Sequence, residues 1–179
     1  MSDQLEPRAS IPPDDPSRKL TVANPEDARV RHVFVAGDTY SVLVSGADTG
    51  GRFCLIDMLV PDGGGPPPHR HDFEEMFSLL EGELEFIFRG RRQTVKAPAT
   101  VAIPSNAPHQ FKNKSGKTVH MLCVCAPAGL DAMFLEVGVP LESRSSQPPK
   151  PEGGPPPEER LKQIEALARK YHTEILPHA

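Results

Sequence analysis

Between about Arg31 and Pro127 the hydrophobic residues of this chain fall in short runs: HVFVA, TYSVLVSG, RFCLIDMLV, EMFSLLEG, ELEFIFRG, RRQTVKA, TVAIP, HQFKN and TVHMLCVCAP. Gly, Pro, Asn and Asp punctuate them at the close spacing of an all-β sandwich or barrel. Several runs alternate strictly. Leu84, Phe86 and Phe88 fall on one face of their strand and Glu83 and Glu85 on the other, the pattern of a sheet with one face in a core. The links EGE, RGRR and NKSGK carry Gly or Asn where a hairpin needs positive φ, which predicts antiparallel pairing of sequence neighbours. The predicted fold class is all-β, a compact antiparallel barrel or jelly roll.

After Ala126 the period changes. Leu130, Met133, Phe134 and Val137 recur at helical spacing and are stopped by Gly138 and Pro140. Residues 142 to 157 hold six of the 21 prolines and no large apolar residue, the composition of an extended linker. The segment that follows opens on Pro and Glu and carries an apolar stripe of Leu161, Ile164, Leu167, Ala168 and Tyr171, which predicts an amphipathic C-terminal helix. Such a helix is too short to stand alone, so its stripe must dock on the barrel or on a second subunit. Residues 1–19 contain four prolines and little to bury, and read as a flexible arm. The expected division is therefore an arm over 1–19, a barrel over 20–140, a linker over 141–157 and a helix with tail over 158–179.

Composition removes several functions. A net charge of −4, from 20 basic and 24 acidic residues spread along the chain, offers no concentrated positive field for a nucleic acid backbone. No apolar stretch approaches the ~20 residues that cross a bilayer, and the polar, proline-rich start lacks the basic end and apolar run of a secretory leader. Cys54, Cys123 and Cys125 are odd in number and sit in apolar strands, where thiols act as small hydrophobes. A cytoplasmic protein without nucleic acid or membrane partners is expected.

The chemistry gathers in PPPHRHDFEEMF. His69 and His71 lie two apart on a strand and point the same way, and Glu75 keeps their parity across a turn. His109, just after the PSNAP turn, supplies a fourth donor. Three imidazoles and a carboxylate suit a divalent first-row metal and leave one or two positions open, the condition for catalysis. Glu74 has the opposite parity and is expected in solvent or paired with an arginine. His32 and His120 read as hydrogen-bonded structural histidines, with a supporting role beside the metal open to His120. Phe73, Phe77 and Leu79 share the ligands' parity and Phe111 lies two after His109, so these four are expected to form an apolar substrate wall.

The spacing carries more than the residue types. Gly63, His69, His71, Glu75 and Gly82 stand in G-x5-H-x-H-x3-E-x6-G, and Pro104, His109 and Asn113 stand in P-x4-H-x3-N. Together they resemble the two motifs of the cupin superfamily, which implies an antiparallel jelly-roll β-barrel with a metal inside it, held by His69, His71, Glu75 and His109. The second motif departs from the pattern at Pro98 and Asn106, where glycines are usual; Asn tolerates the left-handed backbone such a turn needs. The first motif and the terminal helix look most like the small bacterial cupins related to quercetin (flavonol) dioxygenase. That likeness implies one divalent transition metal per chain (iron, manganese, nickel, cobalt, copper or zinc) and dioxygenation of a small phenolic or enolisable substrate. Glu75 would be either the fourth ligand or the base that takes the substrate proton. A metal-dependent isomerase or decarboxylase and a non-catalytic binding cupin are the alternatives. Cupins commonly pair through barrel strands, so a homodimer is expected.

Overall fold

The computed structural model describes residues 10–146 and 158–177. In chain order its elements are β1 (Arg31–Val35), β2 (Asp38–Val44), a four-residue helix α1 (Gly46–Thr49), β3 (Cys54–Val60), β4 (His69–His71), β5 (Glu74–Glu81), β6 (Glu83–Phe88), β7 (Arg91–Lys96), β8 (Ala99–Ile103), β9 (His109–Lys112), β10 (Val119–Ala126), α2 (Leu130–Val137), β11 (Val139–Leu141), α3 (Glu158–Lys170) and β12 (Thr173–Ile175). Two antiparallel sheets result. One has seven strands in the order β11-β1-β2-β3-β10-β5-β8, and the other five in the order β12-β4-β9-β6-β7.

Alternation decides what each strand buries. On β5, Glu75, Phe77 and Leu79 face the interior while Met76 and Leu80 are exposed; on β10, Val119, Met121, Cys123 and Cys125 are buried. Phe77 and Leu79 and the four buried residues of β10 join Ile56, Met58, Leu84, Phe86 and Phe111 in one core between the sheets. Phe77, Phe86 and Phe111 form an aromatic triad with centroids 5.5 to 6.0 Å apart, Phe77 and Phe111 edge to face and the other two pairs tilted. Burying one such ring contributes about 1.5–3 kcal/mol.

Local turn chemistry misassigns two of the three predicted hairpins. RGRR does join the paired strands β6 and β7, but EGE carries the chain from β5 in one sheet to β6 in the other, and NKSGK does the same between β9 and β10. At Gly82 φ is +89°, and a Cβ there would lie 2.8 Å from Val119 Cγ2, so this glycine makes a tight corner between layers. Positive φ marks a sharp reversal without saying whether the two strands remain neighbours.

The C-terminal helix finds a place on its own chain. Ala168 is buried, Lys170 and the Tyr171 hydroxyl both reach Glu136 of α2, and β12 then pairs antiparallel with β4, setting Thr173 opposite His71 and Ile175 opposite His69. Within the expected arm, residues 10–19 are exposed and in neither strand nor helix; residues 1–9, residues 147–157 of the expected linker and residues 178–179 of the tail lie outside the described residues. Among the described residues no helix is long and apolar enough to cross a membrane.

Candidate metal centre

β4, β5 and β9 bring the four predicted ligands together. His69 and His109 are direct cross-strand partners, while His71 and Glu75 enter from the two sides of the Asp72–Phe73 bend. One donor atom from each of the four lies within 4.8 Å of all the others. The PSNAP turn supports the arrangement: Asn106 adopts φ +65°, and its N–H donates to His71 O at 2.6 Å.

Each imidazole is oriented by backbone. Nδ1 of His69, His71 and His109 lies 2.9 Å from the carbonyl oxygens of Pro67, Phe73 and Ala107 respectively. A carbonyl only accepts, so each Nδ1 carries a proton and Nε2 is the nitrogen that faces the centre, the arrangement in which a neutral ring can ligate. Phe73 stacks on His71 with centroids 3.8 Å apart and rings 1° from parallel, which fixes that ring further.

Glu75 Oε2 lies 3.1 Å from His71 Nε2 and 3.2 Å from His109 Nε2. Lone pair would face lone pair there unless a cation, a proton or a metal ion, lies between them. Burial alone would raise the Glu75 carboxyl, but with a proton in that place the hydrogen bonds of His109 and His71 outweigh it and hold the carboxyl well below the usual carboxylate range. Burial, with His109 alongside, lowers His69 to about 4, so that ring stays neutral at physiological pH. With a metal ion in the place of that proton, the same carboxylate and imidazole nitrogens form a donor set that fits a divalent transition metal.

Two residues the sequence assigns only to core packing touch this set. Cys123 and Cys125 share the inward face of β10, and their Sγ atoms lie 3.4 and 3.8 Å from Glu75 Oε1. For Cys123, the Cys125 thiol acts to lower the pKa, but burial and the charge of Glu75 prevail and push it up to about 12. It therefore donates S–H to Oε1, and both oxygens of Glu75 are engaged. Parity places these thiols inside, but only the β5–β10 register, which sets Cys125 opposite Glu75, reveals the contact.

The cluster opens onto a cavity of about 350 Å³, within the ~300–1,000 Å³ typical of small-molecule sites. Of the four expected wall residues, Phe77 and Phe111 line it. Leu79 is buried farther along β5 in the core, and Phe73 acts on His71 instead; side-chain parity gives the face of a strand but not the end of the barrel. The rest of the wall includes Tyr40, Met58, Met133 and Phe134, closed by Ile164 of α3 and Ile175 of β12. Glu74 is exposed as expected, although Oε1 accepts the Ser105 N–H instead of pairing with arginine. His32 bonds Ser41 Oγ at 2.7 Å, and His120 bonds Asp57 at 2.6 Å beside Arg144, so neither belongs to the cluster.

Residues 56–125 match the cupin domain family. A 71-residue stretch is 32% identical to endoribonuclease YbeY of Myxococcus xanthus, covering 40% of this chain and 24% of that protein, so the chain spans about a quarter of the length of the curated relative it matches. Among solved structures, the polyketide cyclase RemF from Streptomyces resistomycificus is 27% identical, with a TM-score of 0.53 over 60% of this chain and 80% of that one. A predicted oxalate decarboxylase from Thermotoga maritima (19% identical, TM-score 0.52, 59% of this chain and 98% of that one) and an RmlC-like cupin from Shewanella frigidimarina (14%, 0.50, 58% and 89%) share the fold. The barrel is thus a cupin-type jelly roll with a C-terminal helix, and its cluster of three histidines and one glutamate could hold a metal.

Proposed function

We propose that this chain is a metal-dependent enzyme acting on a small, neutral phenolic or enolisable molecule, and that the reaction is a dioxygenation. The observation that carries this is the cavity itself: three histidines and one glutamate meet a wall of aromatic and aliphatic side chains that, among the described residues, includes no lysine or arginine. A phosphate, a dicarboxylate or an RNA backbone would find no cation there, which speaks against carrying over the activity named for the Myxococcus xanthus relative. A flat aromatic ring finds Phe77, Phe111, Phe134 and Tyr40.

A divalent ion held by His69, His71, His109 and Glu75 would supply Lewis acidity and open coordination positions. The chain does the rest. Carbonyls of Pro67, Phe73 and Ala107 hold the imidazoles in the ligating tautomer, the thiols of Cys123 and Cys125 hold one oxygen of Glu75, and the apolar wall excludes water while orienting the ring. With both oxygens engaged, Glu75 is better suited to ligation than to taking a substrate proton. The likeness to RemF favours a second reading, ring closure of an enolisable substrate without oxygen.

Metal analysis of the purified protein, followed by an oxygen electrode with a panel of phenols and 1,3-dicarbonyl compounds, separates these. Oxygen uptake that a chelator abolishes supports dioxygenation. Product without uptake points to a cyclase, isomerase or decarboxylase, and binding without product to a sensor. We also propose a cytoplasmic homodimer: α3 docks on its own chain through Ala168, but Leu161 of α3, Met76 and Leu80 of β5 and Phe53 just before β3 remain exposed. Light scattering at the 19.5 kDa monomer mass would overturn the dimer.

A further inference from the structure

One buried carboxylate has no part in the cluster. Asp38, the first residue of β2, is 0% exposed, and its Oδ1 has no hydrogen-bond partner among the described residues. Oδ2 accepts the Tyr40 hydroxyl at 3.3 Å, and the Gly65 N–H and the more distant Lys112 charge give further support. The glycine-rich loop before His69 is fitted around this group: a Cβ on Gly64 would come 2.2 Å from Asp38 Oδ1. A half-partnered carboxylate in a core is costly enough to require a cause.

Tyr40 connects it to the cavity. The phenol ring is 3% exposed, packs 4.1 Å from Phe134 and lines the same cavity as His69, His71 and Glu75. A phenolic or enolic substrate must lose a proton as its oxygen comes under the influence of a cation. Glu75 is poorly placed to take it, since Oε2 faces two histidines and Oε1 faces two thiols.

We propose that Tyr40 and Asp38 form the proton-accepting relay of this site, an inference that rests on the phenolic substrate class proposed above. The substrate O–H bond breaks and leaves its electron pair on the substrate oxygen. That proton goes to Tyr40 Oη while the proton already on Oη passes to Asp38 Oδ2. Tyr40 ends as it began, and Asp38 becomes a neutral carboxylic acid. Burial pushes Asp38 up to about 7, against the smaller lowering effects of the Tyr40 and Gly65 hydrogen bonds and of Lys112. It is thus an acceptor matched to neutral solution. Burial and the Asp38 charge raise Tyr40 well above its ordinary value, so the phenol passes the proton on instead of keeping the negative charge. Tyr40 is the catalytic residue here, and Asp38 acts through it.

Catechol tests the relay without turnover. The full chain is loaded with zinc, which is redox-inert, and the rate of catecholate formation on mixing with catechol is followed by its ultraviolet shift in a stopped-flow instrument. At about pH 8, where Asp38 is ionised and free to accept, the wild type should form catecholate ~100-fold faster than Asp38→Asn or Tyr40→Phe. The wild-type rate should fall as pH drops through about 7, where Asp38 becomes protonated, a dependence that both variants lose. A rate equal to wild type in Tyr40→Phe, which removes only a hydroxyl, would overturn the relay even if Asp38→Asn failed to fold. Catechol bound as the neutral phenol would overturn it too. No binding to zinc-loaded wild type would instead overturn the substrate class beneath it.

Discussion

Asp38→Asn should make the protein more stable at high pH and should do so by an amount that grows with pH. Burial pushes the folded-state pKa up to about 7 against an ordinary value of 3.8, a gap of about 3 pH units. At 1.36 kcal/mol per unit this is about 4 kcal/mol. The folded chain holds a proton at pH values where the unfolded chain has already released it. The contribution of Asp38 is therefore fully present below about pH 4, falls as pH rises, and is lost above about pH 7. Asparagine has nearly the same shape and cannot ionise. Its amide N–H meets a place where Oδ1 has no partner, adding a cost of about 1–3 kcal/mol that does not vary with pH. Urea unfolding of both proteins from about pH 4 to 8, at equal metal content, measures the difference. Glu75 and His69 titrate in both proteins and cancel. The gap should move by about 4 kcal/mol in favour of the variant across that range. A gap that stays constant, or moves toward the wild type, would refute both the buried-acid reasoning and the pH window of the relay.

His109→Ala should weaken metal binding at least ~100-fold, measured by mass spectrometric metal content after dialysis, whereas Glu74→Ala should keep full occupancy because that carboxylate faces the Ser105 N–H outside the barrel. Ile175→Asp puts a charge into the part of the cavity wall supplied by β12 and should weaken catechol affinity ~10-fold or more with little loss of melting temperature, since the residue is already 36% exposed; unchanged affinity would show that β12 does not form part of the binding wall.

Alternation over five or more residues identifies the long strands, since a strand with one face in a core imposes period two on its own sequence; β5, β6 and β10 are cases. The three-residue strands β11 and β12 offer no period to read. They exist because the chain returns beside β1 and β4, a tertiary event that leaves no local mark in VPL or TEI. The ligand set is legible for the opposite reason: a metal demands fixed spacing along the chain, and His69, His71, Glu75 and His109 meet within one small volume. Contacts that depend on register stay hidden. Cys125 opposite Glu75 requires the pairing of β10 with β5, and Asp38, following Gly37, has the appearance of a turn residue until β2 is seen to place it under the loop that ends at His69.

Burial alone would raise both interior carboxylates beside this cavity, so their divergence comes from what else surrounds each one. Glu75 has two thiol donors on one oxygen and, on the other, the cation it shares with two imidazoles, and stays charged; Asp38 has a long tyrosine bond, one backbone N–H and an oxygen with no partner, and is readily protonated. Two carboxyls pushed apart in this way take different roles, the fixed anion beside the cation and the proton acceptor one hydroxyl away. Exchanging their environments would reverse the roles: a fourth-ligand carboxylate without its donors would protonate and release the metal, while a well-solvated Asp38 would stay ionised and accept nothing. The instability that Asp38 adds to the barrel at neutral pH is accordingly the physical condition for its function. A variant that removes it should gain stability while losing the rapid transfer of the substrate proton through Tyr40.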